Sequence, residues 1–304
     1  MWFYLALSAA VILGIYDISK KIAVTKNAVI PVLFLSVLFG AFVVIPPALL
    51  SITYPEMMKS IDLYVPPAPL NTHFFLFIKS LIVSSSWMLG YFAVKNLPIT
   101  ISTPIRSSGP FFTLIGALTI FHEMPSPLQW IGFVIIIVSF LFMSRIGKLE
   151  GINFRNNKWV VLMAGATLLS SCSSLYDKYL LQSRGFHPQL VLTWFSIYMV
   201  FIMGAVLLFI WYPKRKNYTK FQWKWSILLV GVLLVISDAF YFRALHDEQA
   251  LIIIVSAVKR FRVFVAVIAG GLIFKENNKR KKSIALTGII TGVLIILAAK
   301  ELGL

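Results

Sequence analysis

Long apolar runs separated by short polar segments dominate this chain. Ten runs are close to the roughly 20 residues that a helix needs to cross about 30 Å of hydrocarbon. Charged residues make up only 13% of the chain and the mean hydropathy is +0.86. The pattern therefore predicts an all-α integral membrane protein with ten transmembrane helices in a lipid bilayer. These spans are residues 2–25, 30–53, 73–95, 97–121, 127–146, 158–182, 189–212, 223–245, 249–274 and 283–300.

Several short motifs recur 150 to 160 residues further along the chain. Tyr16-Asp17 recurs as Tyr176-Asp177, Tyr91-Phe92 as Tyr241-Phe242, and Arg106 and Glu123 as Lys259 and Glu276. The offset between the two copies of each motif changes at the loop after the second span, because loops tolerate differences in length. The sequence thus predicts two five-helix repeats, residues 1–147 and 158–302. Because five is odd, the second repeat is inverted, which is the plan of many secondary transporters.

The formal net charge of +17 is concentrated at the ends of the predicted helices. In a soluble chain this charge would indicate binding to nucleic acid. Here we expect contacts with lipid head groups and no nucleic-acid partner. Loops after the odd-numbered spans, with the adjoining helix ends, hold 18 of the 28 lysines and arginines. The positive-inside rule then predicts a plasma (inner) membrane protein with both termini outside the cytoplasm.

Four cationic side chains fall deep inside apolar runs. Arg106 is about the tenth residue of its run, roughly 15 Å from one membrane surface. Lys259, Arg260 and Arg262 lie within the run from 251 to 274. A membrane charge is costly where it faces lipid, so it marks a substrate path or a pair with a counter-charge. Both readings stay open for Arg106, whose neighbours are mostly small hydroxyl residues and prolines.

Helical geometry separates the three cations of the ninth span. Lys259 and Arg262 share a face, while Arg260 points about a quarter turn away. We expect two of the three to line a cavity and Arg262 to pair with an aspartate. Only three aspartates are available in the membrane, so the four cations leave an excess of positive charge. A phosphate or carboxylate substrate would neutralise that excess.

Other polar and aromatic residues complete the predicted site. Tyr91, Tyr241 and Trp87 are predicted to line the cavity, with Arg106, Lys259 and Arg260 binding substrate. Asp17 lies three residues before Lys20 and four before Lys21, which are the spacings of intrahelical salt bridges. The alternative is that these residues form a gate. The predicted gate or counter-charge residues are Asp17, Lys20, Lys21, Asp177, Asp238 and Arg262, with Asp17 and Asp177 near opposite membrane faces. The chain shows no nucleophile triad, phosphate loop or metal-ligand spacing, so we expect neither an enzyme nor a cofactor.

Two blocks of the sequence resemble a known family. Pro110 to Glu123, followed by Gln129-Trp130-Ile131-Gly132, is similar to the Pro…Leu-Gly-Glu block of the drug/metabolite transporter superfamily. The second half keeps Ile273-Phe274-Lys275-Glu276, with Val263 in place of the proline. The resemblance, to ten-helix members with two EamA-type halves, covers essentially the whole chain.

A finer resemblance is to the triose-phosphate and nucleotide-sugar translocator branch. Lys20-Lys21, Arg106 four residues before Pro110, and Lys259-Arg260 occupy places similar to that branch's helix 1 asparagine-lysine pattern, its helix 4 lysine, and its phosphate-holding Lys-Arg pair in helix 9. Arg106 stands where the branch has lysine, and the first span lacks its asparagine-lysine pair. The resemblance implies a carrier of a small anionic, phosphorylated metabolite.

The expected activity is secondary transport by alternating access, driven by exchange or an ion gradient. The transport alternatives are a generic exporter of amino acids or amphipathic metabolites and a lipid-linked sugar flippase. A membrane scaffold or receptor subunit is the alternative outside transport. The sequence leaves open the substrate's identity, the direction of transport, and whether the protein is a monomer or a homodimer.

Overall fold

The structure is a computed structural model of the 304-residue chain. It describes residues 1–97, 102, 105–106, 108–148 and 157–262. Beyond these it describes 265, 284, 287–288, 290–292, 294–296 and 298–299. The predicted boundary between the repeats, and Glu276, therefore lie outside the described residues.

The described elements are helices throughout. In chain order they are α1 (Trp2–Val24), α2 (Val29–Thr53), α3 (Pro55–Ser60), α4 (Leu70–Asn96), α5 (Gly109–Ile120), α6 (Pro127–Lys148), α7 (Lys158–Lys178), α8 (Pro188–Val206), α9 (Ser226–His246) and α10 (Ile252–Val258). One π-helical turn extends α7 through Tyr179–Ser183 and another extends α8 through Leu207–Trp211. Short 3-10 turns follow at Arg215–Asn217 and Lys259–Phe261.

Six of the described helices are long and apolar enough to cross a membrane. They are α1, α2, α4, α7 and α8 with their π-helical turns, and α9. Their bounds agree within a few residues with six of the predicted spans, and α6 agrees with a seventh. In the fourth and ninth predicted spans the structure describes the shorter helices α5 and α10. The full count of ten stays a prediction, because much of the last two spans lies outside the described residues.

Local sequence explains where several helices begin. The Asn157 side chain accepts a hydrogen bond from the Trp159 N–H at 2.9 Å, so it caps α7. His187 caps α8 in the same way, and Pro188 occupies the first turn, where no N–H is needed. The segment after α2, which was expected to be a loop, contains α3. Pro55 occupies the first turn of α3, where no N–H is needed.

Helices of the two predicted halves interlock rather than forming separate bundles. α1 packs on α9, and α4 packs on α7. Ser237 of α9 donates a hydrogen bond to the Ala9 carbonyl at 3.0 Å, and Ser86 of α4 donates to the Ala166 carbonyl at 2.7 Å. These hydroxyl bonds join helices where the bilayer offers no water. The interior between α1, α4, α7, α9 and α10 is therefore walled by both halves.

Candidate functional site

Two adjoining pockets, with cavity volumes of about 100 and 50 Å³, lie between the two halves. They share a wall formed by Arg106, Ser170, Ser174, Lys259 and Arg262. We call their union the cationic cavity. Its other polar lining residues are Tyr16, Lys79, Thr167, Ser173, Asp177, Asp238, Tyr241, Ser256 and Arg260.

Asp17 holds three cations beside this cavity. Its Oδ1 lies 3.1 Å from Lys20 Nζ and 3.2 Å from Arg106 Nη1, and its Oδ2 lies 3.5 Å from Arg262 Nε. The arrangement agrees with the predicted structural role of Arg262. Both interpretations of Arg106 hold in the structure, because Arg106 pairs with an aspartate and also lines the cavity. One carboxylate facing three cations leaves local positive charge unbalanced.

Lys79 and Asp177 form a buried ion pair between α4 and α7. The Lys79 ammonium also lies 4.5 Å from the ring centre of Phe195 and 4.8 Å from that of Phe242. Lys79 was not among the predicted site residues, yet its side chain is only 2% exposed. Asp177 is already paired with Lys79.

Lys259 and Arg260 lack such partners. Lys259 Nζ lies 3.5 Å from the ring centre of Tyr241, and Arg260 Nη1 donates to the Arg106 carbonyl at 2.8 Å. Within the described part of the chain, no carboxylate lies within 4 Å of either cation. Asp238, on the cavity wall, likewise forms no ion pair with any described residue.

The aromatic residues divide into a wall and a second layer. Tyr241 and Trp87 line the cavity as predicted, whereas Tyr91 lies behind the described wall. The Tyr91 hydroxyl pairs with that of Tyr16 at 3.3 Å, and both rings lie about 5 Å from Lys20 Nζ. Tyr91 thus helps to hold the Asp17 group and does not face the cavity.

Lys21 is not part of the site either. Its ammonium donates to the carbonyls of Val94 at 2.8 Å and Leu97 at 3.2 Å, where it caps the end of α4. Asp17 and Asp177, predicted to lie near opposite membrane faces, are instead brought close together in the structure. Asp17 binds two cavity cations and Asp177 lines the same cavity, so both belong to one polar centre.

Sequence reasoning missed the hydroxyl wall and a second buried cluster. Four serines in five residues, Ser170 to Ser174 around Cys172, were the available signal for a polar face on α7. In the second cluster, Glu123 accepts from Lys178 Nζ at 2.5 Å and from the Ile252 N–H at 2.7 Å. It also accepts from the Ile253 N–H at 3.1 Å, so it caps α10. This cluster joins the first half to the second.

The cavity's donors suit an anion rather than a metal. Among the described residues no group of three or more His, Cys, Asp or Glu side chains could hold a metal ion. Guanidinium, ammonium and hydroxyl groups instead converge on one space, and arginine can donate two parallel hydrogen bonds to phosphate or carboxylate oxygens.

Comparison with known proteins gives two findings. The EamA-like transporter family matches residues 1–145 and again residues 157–298. A solved structure described only as "Crystal structure of protein" is similar, with a TM-score of 0.71 and 11% sequence identity. The match covers 97% of this chain and 98% of that one, and at this identity it shows the fold alone. No curated protein matches the chain significantly.

Proposed function

Because this chain belongs to the EamA-like transporter family, and is therefore a multi-pass membrane transporter of the drug/metabolite type, we propose that its substrate is a small anionic, phosphorylated metabolite. Arg106, Lys259 and Arg260 bind the phosphate, while Tyr241 and Trp87 form the adjoining wall. The translocator-like positions of these cations also support this substrate class.

The observation that carries the proposal is the pair of cations without carboxylates. Lys259 and Arg260 reach the cavity, where their close contacts are an aromatic ring and a backbone carbonyl and no described carboxylate lies within 4 Å of them. An uncompensated charge away from water costs several kcal/mol, roughly, unless an opposite charge or polar groups surround it. A bound anion supplies that charge.

The charge balance favours a dianion over a monoanion. Six cations, Lys20, Lys79, Arg106, Lys259, Arg260 and Arg262, lie on or beside the cavity. Three aspartates, Asp17, Asp177 and Asp238, face them. A phosphate monoester carries about two negative charges at neutral pH and three acceptor oxygens. Serine hydroxyls of α7 can donate to those oxygens as well.

The transport cycle in this proposal is alternating access. The two five-helix halves rock around the cavity, which exposes the bound anion to one side of the membrane and then to the other. Exchange against a second anion, or an ion gradient, drives net movement. The charge distribution of the loops supports a plasma-membrane location with both termini outside the cytoplasm.

One observation favours an exporter of amino acids as the second candidate. Asp238 is a carboxylate on the cavity wall without an ion pair among the described residues. A zwitterion could place its carboxylate against Arg106 and its ammonium against Asp238. This candidate uses the same cavity but requires Asp238 to touch substrate.

A thermal-shift screen of the purified protein separates the two candidates. Sugar phosphates and inorganic phosphate should raise the melting temperature, whereas neutral amino acids and unphosphorylated sugars should not. Nucleotide sugars test whether a larger phosphorylated ligand fits. Stabilisation by amino acids alone, or by cationic compounds alone, would reject the phosphorylated substrate.

A further inference from the structure

Asp238 differs from the other described carboxylates of the interior because no cation lies against it. Asp17, Asp177 and Glu123 each lie within 4 Å of a lysine or arginine side chain. Asp238 lines the cationic cavity, yet it forms no ion pair with any described residue. A neighbouring cation holds a carboxylate in its ionised form. Asp238 can therefore gain or lose a proton without breaking an ion pair.

Asp238 also borders a second, smaller space on the other side of the cavity wall. This space, of about 20 Å³, lies between α2, α4, α8 and α9. It has room for about one water molecule. The hydroxyl groups of Ser36 and Ser196 line it and can accept hydrogen bonds from that water. Water in this space and in the cavity, rather than a fixed cation, can thus solvate the Asp238 carboxylate and bring a proton to it.

The electrostatic surroundings of Asp238 change when an anion binds. Lys259, Lys79 and Asp177 act on its carboxylate from beyond ion-pair distance, and α2 and α8 present no charged residue to it. The other charged or titratable groups on or beside the cavity are Tyr16, Asp17, Lys20, Arg106, Tyr241, Arg260 and Arg262. Before an anion binds, this excess of cations favours the ionised carboxylate. A phosphate dianion offsets the cations and adds negative charge nearby, so its binding favours a proton on Asp238.

From this arrangement we propose that Asp238 is a proton-binding site, and that the protein carries its phosphorylated substrate together with a proton. The inference rests on the proposed function and names the ion that drives it. Water at one membrane face supplies the proton to an Asp238 carboxylate oxygen as the anion binds. At the opposite face the anion leaves and the proton returns to water. A proton gradient then drives the anion in the direction in which the protons move.

Calorimetry counts the protons that the protein takes up with its ligand. Purified protein is titrated with glycerol phosphate at about pH 7, where most of this ester is already a dianion. The titration is repeated in buffers of different ionisation enthalpy, since the change in heat gives the number of protons bound. We expect the wild type to take up more protons than Asp238→Asn, with a difference approaching about one per ligand. By linkage, acidification should tighten binding to the wild type and not to D238N.

An exposed carboxylate provides the matched control. Glu56 lies at the surface with its side chain 84% exposed, and Glu56→Gln removes a titrating group exactly as D238N does. We expect E56Q to keep the wild-type proton count. In proteoliposomes, acid outside should accelerate glycerol phosphate uptake severalfold for the wild type and E56Q, whereas D238N should not respond to the gradient.

The outcomes separate this inference from the proposed function. Equal proton counts in the wild type and a folded D238N would overturn the inference and leave the proposed function standing. Failure of the wild type to bind any phosphate ester would reject the proposed function, and this inference with it. If D238N does not fold, Asp238→Ser repeats the comparison, and a wild type that takes up no protons overturns the inference without any variant.

Discussion

The Lys259 ammonium lies 3.5 Å from the ring centre of Tyr241, over the ring face, on the wall of the cationic cavity. A desolvated cation gains on the order of 2 kcal/mol from such a ring. The ring therefore holds Lys259 in place without neutralising it, as a carboxylate would. That distinction leaves the charge available to a bound anion.

Substitutions of Tyr241 test the role of its ring. Tyr241→Phe keeps the ring, and removing the hydroxyl costs little because that buried oxygen has no hydrogen-bond partner among the described residues. Tyr241→Leu removes the cation–π contact and should weaken binding of a stabilising sugar phosphate about tenfold or more. Calorimetric titration of both variants measures the difference. Equal losses in the two would show that the hydroxyl, not the ring, matters.

Breaking the Lys79–Asp177 pair should destabilise the protein. Lys79→Gln leaves a carboxylate unpaired in the interior, at a cost of about 3–5 kcal/mol. Lys79→Gln with Asp177→Asn removes both charges and should recover much of the loss. The melting temperature in detergent reports the effect.

An exposed pair supplies the control for that experiment. Lys59 Nζ lies 2.8 Å from Glu56 Oε1 at the surface, where side chains are 51% and 84% exposed. Lys59→Gln should change stability by less than about 1 kcal/mol, because water screens exposed pairs. If K79Q were no more destabilising than K59Q, the buried pair would not hold α4 to α7.

Glu123 should be as sensitive as Lys79. Glu123→Gln leaves Lys178 without its carboxylate and weakens the cap on α10, with an expected loss of about 3–5 kcal/mol. Glu56→Gln, an exposed change of the same chemistry, is the control. A double variant with Lys178→Met should be more stable than E123Q, and a double variant less stable than E123Q would contradict the pairing.

The orientation is testable with single cysteines in a Cys172→Ser background. Ser60 and Tyr218 are both exposed, on loops predicted to face opposite sides. In intact cells Ser60→Cys should react with an impermeant maleimide and Tyr218→Cys should react only after permeabilisation. The reverse pattern would place both termini in the cytoplasm.

Much of the fold could be predicted because the bilayer permits few solutions. A run of about 20 apolar residues without water must satisfy its own backbone as a helix, so α1, α2 and α4 were predictable. Arg106, Lys259 and Arg260 were recognisable as candidates because deep charges are rare.

The partners of these charges were not predictable. Lys79 and Asp177 are 98 residues apart in the chain, and only helix packing brings them together. Tyr91 recurs as Tyr241, yet the Tyr91 ring lies behind the cavity wall and the Tyr241 ring lies on it. The repeat pattern specifies the position of a residue along its helix but not the rotation of that helix. The cationic cavity depends on contacts among several helices, which local sequence does not encode.

The ligand-induced change in melting temperature of Arg260→Gln tests whether the cationic cavity binds the substrate. Arg260 contacts a backbone carbonyl and no described carboxylate, so its removal leaves no charge stranded among the described residues. Lys214→Gln makes the same charge change at an exposed site and is the control. We predict that R260Q melts at or above the wild-type temperature without ligand but loses stabilisation by sugar phosphates, while K214Q keeps that stabilisation. An R260Q protein that is still stabilised by sugar phosphates, or that unfolds without ligand, would contradict a substrate-binding role for the cationic cavity.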